Sequence, residues 1–267
     1  MTEHLATSMS PEDIGELIAN EFASGETHVL IHAHDNLLLN KSAGATENPD
    51  NRDGFLPRRL YTRYKNMLRV CQGIGNFQSD SVDPMSFIDL NDKNVPPILP
   101  YHTVEASQPD PSKIVSYWDA QPKGGLGETM KIVTVDRLRE WASATSERSE
   151  LLEGLYEPIT FSRESAIYAP ILDNEAGTVR FNLKDVHAQS LPEQINTFFR
   201  LLKEDEDVAT EVRLLPGDVL FIDNHHALHS THPKLNQNRL LYRILLHSLL
   251  ETDELQDENE LSVAKSA

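Results

Sequence analysis

The chain has 267 residues, 39% of them hydrophobic and 25% charged, the balance of a globular protein with room for one sizeable domain. Its formal net charge of −18, from 42 acids against 24 bases, repels phosphate backbones and excludes nucleic acid as a natural partner. No run of about 18 apolar residues offers a membrane span. The start, MTEHLATSMSPEDIGEL, has neither part of a secretory signal, and Cys71, the single cysteine, cannot form an internal disulfide; a cytoplasmic location is expected.

Ser10-Pro11-Glu12-Asp13 predicts a helix start, with serine as cap, proline in the first turn and acids beside it; IGELIANEFA follows at helical spacing and Gly25 closes it. THVLIHA (27–33) is rich in β-formers and predicts a strand, after which residues 35–56 read as a long loop. PRRLYTRYKNMLRV (57–70) predicts a helix carrying the main basic cluster, Arg58, Arg59, Arg63 and Lys65: a solvated face, or a wall meeting an anionic substrate. The Gly73-Ile74-Gly75 that follows lacks the third glycine and the βαβ setting of a dinucleotide fingerprint.

From about residue 95 the pattern changes to short strands separated by turns. KIVSYW (113–118) predicts a strand, QPKGGLGET (121–129) a glycine-rich loop, and TVDRLREWAS (134–143) a helix capped by Thr134. SAIYAPIL and TVRFNL flank DNEAG as a hairpin, and LPEQINTFFRLLKED (191–205) has the spacing of an amphipathic helix. KEDEDVATE (203–211) reads as a solvated helix end. PGDVLFIDN (216–224) turns into a strand, and RLLYRILLHSLL (239–250) predicts a last, mostly buried one. The sum predicts a mainly β core, a sandwich or barrel with helical decoration, forming one domain over residues 1–250. A helical and edge-strand part covers 1–95, the core covers 96–250, and residues 251–267 form an acidic, frayed tail.

The chemistry concentrates in two stretches, YHTVEA (101–106) and DNHHALHSTHP (223–233), the second with four histidines in eleven positions. A strand sends residues i and i+2 to one face, so His-x-Asp or His-x-Glu offers two ligands to one metal. A distal histidine completes a facial triad that leaves three positions on Fe(II), suited to a bidentate 2-oxoacid and O2. An arginine shortly after that histidine would pair with the far carboxylate of the co-substrate. His102, Thr129 at the end of the glycine-rich loop, His229 after GDVLFIDN, then Arg239 and Arg243 supply most of these parts in that order.

This set resembles the taurine dioxygenase and clavaminate synthase-like Fe(II)/2-oxoglutarate oxygenases, amino-acid hydroxylases included, over about residues 98–250. The resemblance implies a double-stranded β-helix, the jelly roll of cupin-like proteins, with His102 and His229 as iron ligands. It implies Thr129 and Arg239 as 2-oxoglutarate contacts and Arg243 as a second contact to co-substrate or substrate. It further implies hydroxylation, or related C–H oxidation, of a small polar substrate such as an amino acid or derivative, with O2 consumed.

One position departs from that pattern. Val104 stands where the resemblance calls for the metal-binding acid. Glu105 is adjacent; simple alternation points it away, and a β-bulge would swing it to the metal, so it enters as a candidate third ligand. A halide in the acid's place, as in halogenases of related fold, is a further reading, though those enzymes keep glycine or alanine there. A site of two histidines and water is another, and a non-catalytic binding protein on the same scaffold is the last. His225, His226 and His232 are expected around the site and not as ligands. His32-Ala33-His34-Asp35 is the rival motif, a strand-end pair of the kind that holds zinc in metallohydrolases.

Overall fold

The computed structural model describes residues 2–5, 9–32, 58–76, 85–89, 100–119, 128–161, 167–186, 191–215, 217–232 and 240–249. In chain order its elements are Thr2–Leu5 (β1), Pro11–Ala23 (α1), His28–His32 (β2), Arg58–Ile74 (α2), Gly75–Asn76 (β3), Met85–Asp89 (β4), Ile114–Asp119 (β5) and Glu128–Thr134 (β6). There follow Val135–Ser143 (α3), Ser146–Tyr156 (α4), Ile159–Phe161 (β7), Ile167–Ala169 (β8), Leu172–Asp173 (β9), Thr178–Val179 (β10) and Glu193–Glu204 (α5). Thr210–Leu214 (β11), Val219–Asp223 (β12), Ala227–His232 (β13), Leu240–Leu246 (β14) and Ser248–Leu249 (β15) complete it. None of the described helices is long and apolar enough to cross a membrane.

Two sheets carry the architecture. The larger runs β1-β2-β12-β5-β14-β4 and the smaller β11-β6-β13. Their inner faces enclose one apolar cluster, with Leu30, Val115, Tyr117, Leu220 and Ile222 from the larger sheet against Met130, Ile132, Val212, Leu214 and Ala227 from the smaller. The central strand β12 is buried on both faces, with helices over the outside of its sheet, whereas β11 keeps Glu211 and Arg213 exposed. α1 and α2 pack on Val29, Ile31, Trp118, Phe221 and Ile244, whereas α3, α4 and α5 pack near Val133 and Leu228 on the far side of the smaller sheet. Hence the near-continuous apolar run VLFID, buried throughout.

Local chemistry sets the helix starts. Ser10 accepts from the Asp13 amide while the Asp13 carboxylate accepts from the Ser10 amide, a reciprocal capping box with Pro11 in the first turn. Thr134 caps α3 by accepting from the Arg137 amide. The glycines around position 73 have a packing role: a methyl on Gly15 of α1 would lie 2.5 Å from the Val70 carbonyl oxygen of α2, and one on Gly73 would lie 3.1 Å from the Gly15 Cα. The two helices touch backbone to backbone there. The 35–56 loop, the glycine-rich loop up to Gly127 and the acidic tail lie outside the described residues, as do the side chains of Arg58, Arg59, Arg63 and Lys65.

Candidate metal centre

A short segment, residues 102–104, is stitched to three neighbours. His102 and His229 exchange backbone hydrogen bonds of 2.9 and 3.0 Å as an antiparallel pair, which puts both imidazoles on one face. The Thr103 amide donates to the Phe181 carbonyl, and the Thr103 hydroxyl accepts from the Phe181 amide. The Val104 amide donates to Asn224 Oδ1, and the Asn224 amide group donates to the carbonyls of Val104 and Ser112. Every link fixes the pose of His102.

The two rings lie 4.5 Å apart, centroid to centroid, tilted by 51°. His102 Nδ1 is 2.7 Å from the Pro100 carbonyl oxygen, which can only accept, so Nδ1 carries the proton and Nε2 presents its lone pair. Burial pushes the His102 pKa down to about 4; the Pro100 hydrogen bond opposes this, and the charges of Arg243 and Lys184 add to it. His229 is 0% exposed, and burial holds it well below the ordinary value, with His102 and Arg243 lowering it further. Both imidazoles are therefore neutral, the form that binds a metal.

Strand register brings the rest of the site together. His229 pairs with Ile132, so it faces the inner core. Across the gap Tyr117 pairs with Arg243, which places both on the inner face of the larger sheet. The Tyr117 hydroxyl is 2.8 Å from His229 Nε2, and the two rings meet edge-on at 5.4 Å. His229 Nδ1 is buried and has no hydrogen-bond partner among the described residues. Two neutral nitrogen donors and a phenol, with a guanidinium close by, suit a transition-metal ion bound together with an anion.

The acid position fills differently from the sequence expectation. Glu105 does leave the extended strand, at φ 58°, the kind of irregularity that would re-aim a side chain. Its carboxylate, however, accepts from the Ser112 amide and hydroxyl and stands 3.7 Å from His247 Nε2. Among the described residues no third His, Cys, Asp or Glu joins His102 and His229; the structure engages Glu105 with Ser112 and not with the two imidazoles. Thr129 is also placed apart from the pair. It pairs with His232, three residues from the Ile132–His229 pair, and alternation places it on the opposite face of β6, with Lys131 and Val133.

Arg239 and His34 lie outside the described residues. Of the clustered histidines, His225 Nε2 donates to the Pro111 carbonyl, and His226 Nδ1 is 2.8 Å from Asp223, whose hydrogen bond raises the His226 pKa. Asp223 also accepts from the His225 and His226 amides and so shapes the turn into β13. The side chain of His232 lies outside the described residues, as does that of its strand neighbour Thr231. His32 is engaged by Asp218 at 3.2 Å and Glu3 at 3.5 Å. Sequence reasoning missed Tyr117, Asn224 and Lys184. Asn224 lies inside the quoted DN motif, and Tyr117 sits two residues after Val115 on one face of its strand; neither signal names a partner.

No protein-family model and no curated protein matches the sequence. Among solved structures, the chain superposes on the non-heme iron oxygenase OrfP in complex with Fe at a TM-score of 0.57 and 20% identity, over 89% of this chain and 78% of that one. OrfP in complex with Fe and alpha-ketoglutaric acid gives 0.58 and 19%, over 89% and 79%. The PvcB protein from Pseudomonas aeruginosa gives 0.62 and 16%, over 94% and 88%. At these identities the likeness is one of architecture: the chain has the fold of non-haem iron oxygenases.

Proposed function

We propose that the chain is an Fe(II)- and 2-oxoglutarate-dependent oxygenase acting on a small polar molecule, an amino acid or a derivative of one, with its two sheets forming a double-stranded β-helix. The observation that carries this reading is the His102–His229 pair: two neutral imidazoles on adjoining backbones, with His229 on the inner face of the smaller sheet. The two histidines would hold the iron. Bound with 2-oxoglutarate and O2, the iron supplies oxidation of a substrate C–H bond, while the oxoacid is split to succinate and CO2.

The chain's own residues prepare that chemistry. Pro100 fixes the His102 tautomer, Asn224 and Thr103 fix its backbone, and Arg243 supplies a charge that reaches both imidazoles and suits an anionic oxoacid. Lys184 adds a second cation whose charge reaches His102, which favours an anionic substrate group nearby. The amino-acid class is supported by OrfP, whose complexes contain (3S)-hydroxy-L-Arg and L-canavanine. A cytoplasmic site of action fits a buried free thiol at Cys71.

Anaerobic addition of Fe(II) and then 2-oxoglutarate to metal-free protein tests the reading. A visible charge-transfer band is expected, lost in His102→Ala and His229→Ala and demanding more co-substrate in Arg243→Gln. Protein that retains neither iron nor co-substrate would be a non-catalytic binder on this scaffold, the second reading, which the lack of a carboxylate beside His102 and His229 among the described residues favours. Val104 is 4% exposed within the apolar inner core, a poor cradle for a halide, so product mass should be independent of chloride.

A further inference from the structure

We propose that Tyr117 supplies the third protein ligand of the metal centre, its phenolate oxygen standing in for the carboxylate that Val104 cannot provide. The inference rests on the iron reading above and deepens it. Its geometric basis is the 2.8 Å separation of Tyr117 Oη and His229 Nε2. Two donors each about 2.1 Å from one cation, at right angles, stand about 3 Å apart, so this pair is spaced as neighbouring ligands are. A hydrogen bond has the same length, but here it joins the nitrogen His229 would offer a metal to a hydroxyl on the opposing sheet.

The surroundings agree. Val104 and Tyr117 belong to the same inner cluster, so the larger side chain from one sheet reaches the region where the smaller one from the 102–104 segment falls short. Tyr117 is 1% exposed on the central part of a sheet, and its neighbour in register is Arg243. That cation stabilises an anionic oxygen nearby. Ligation breaks the phenol O–H bond and forms an oxygen–metal bond; the proton leaves to solvent or buffer, and no electron is transferred. With two nitrogens and one oxygen from the protein, three positions on a six-coordinate ion remain for a bidentate oxoacid and O2.

The test is spectroscopic. Fe(III) is added to the full chain as its citrate complex, excess is removed, and visible absorption and resonance Raman spectra are recorded for the natural chain, Tyr117→Phe, and the double variant Tyr117→Phe with Val104→Asp. Bound iron with a visible band that enhances tyrosinate ring modes is the expected result. Tyr117→Phe, which keeps the ring, should fold by circular dichroism, lose those modes and hold iron at least about tenfold more weakly. The double variant should regain iron without them. Iron retained at His102 and His229 with no tyrosinate modes would overturn the ligand role and leave the oxygenase reading standing. Tighter iron binding by Tyr117→Phe than by the natural chain would show that the tyrosine blocks the site, and would overturn it too. Failure of every folded variant to retain iron would sink both readings.

Discussion

Position 104 separates backbone from side chain. Its amide and carbonyl are both held by Asn224, whatever side chain it carries, while its methyls lie in the apolar space between the sheets. Val104→Asp therefore keeps the local fold but buries a carboxylate beside two neutral imidazoles. Without metal this should destabilise the protein by about 3 kcal/mol, the order of an uncompensated buried charge. Fe(II) should restore it, because a ligand that binds only the folded state adds stability that grows with the logarithm of its concentration above Kd. Thermal melts with and without Fe(II) check this; a variant indifferent to iron would mean that position 104 does not face the metal. Asn224→Ala removes partners from the Val104 amide and from the carbonyls of Val104 and Ser112. Each buried orphan costs about 1–3 kcal/mol, so urea unfolding should show a loss of at least about 3 kcal/mol, with weakened iron binding alongside.

At the α1–α2 crossing two helix backbones touch. A methyl at Gly15 cannot fit 2.5 Å from a carbonyl oxygen, and the atoms it meets belong to backbone, which must move as a unit. Gly15→Ala gains helix propensity yet should cost a net of about 1–3 kcal/mol through overpacking, read from the urea midpoint. Much of this level is legible in sequence: Ser10 and Thr134 announce helix starts, and the amphipathic spacing of residues 191–205 gives α5. Other elements leave no such trace. In α4, SERSELLEGLY, Leu155 is the one fully buried residue, so no apolar stripe marks it. β1 is a short polar stretch that becomes a strand only by pairing in parallel with β2, and β11 begins where acidic composition suggests a solvated helix end. At the candidate site, His102, His229 and Arg243 are residues that the resemblance already singles out. Tyr117 and Asn224 matter through register and a contact between segments more than a hundred residues apart, which no local pattern encodes.

At the scale of the molecule, the space between the sheets holds the site and also makes the fold sensitive to acid. His28 pairs with Ile222 on the inner face of the larger sheet and is 3% exposed, with its Nε2 lacking a hydrogen-bond partner among the described residues. Burial first, and then the positive chain terminus, push its pKa down to about 4. A histidine depressed in this way takes up a proton more readily when unfolded, so stability is full above the unfolded value near 6.5 and falls as the pH drops toward 4. At about 1.36 kcal/mol per pKa unit, His28 alone accounts for at most about 2 kcal/mol lost by pH 5 and about 3 by pH 4. His102 and His229 act in the same direction from the same layer, so unfolding by acid and loss of the metal centre should coincide. Urea unfolding of the metal-free chain from pH 7.5 to 4.5 should show a stability that declines steeply below about 6.5. His28→Asn, which cannot ionise, should start lower but decline more gently, closing about 2 kcal/mol of the gap by pH 5. If the two curves run parallel, His28 takes up its proton as easily folded as unfolded, and the acid response belongs to the metal-site pair and the carboxylates alone.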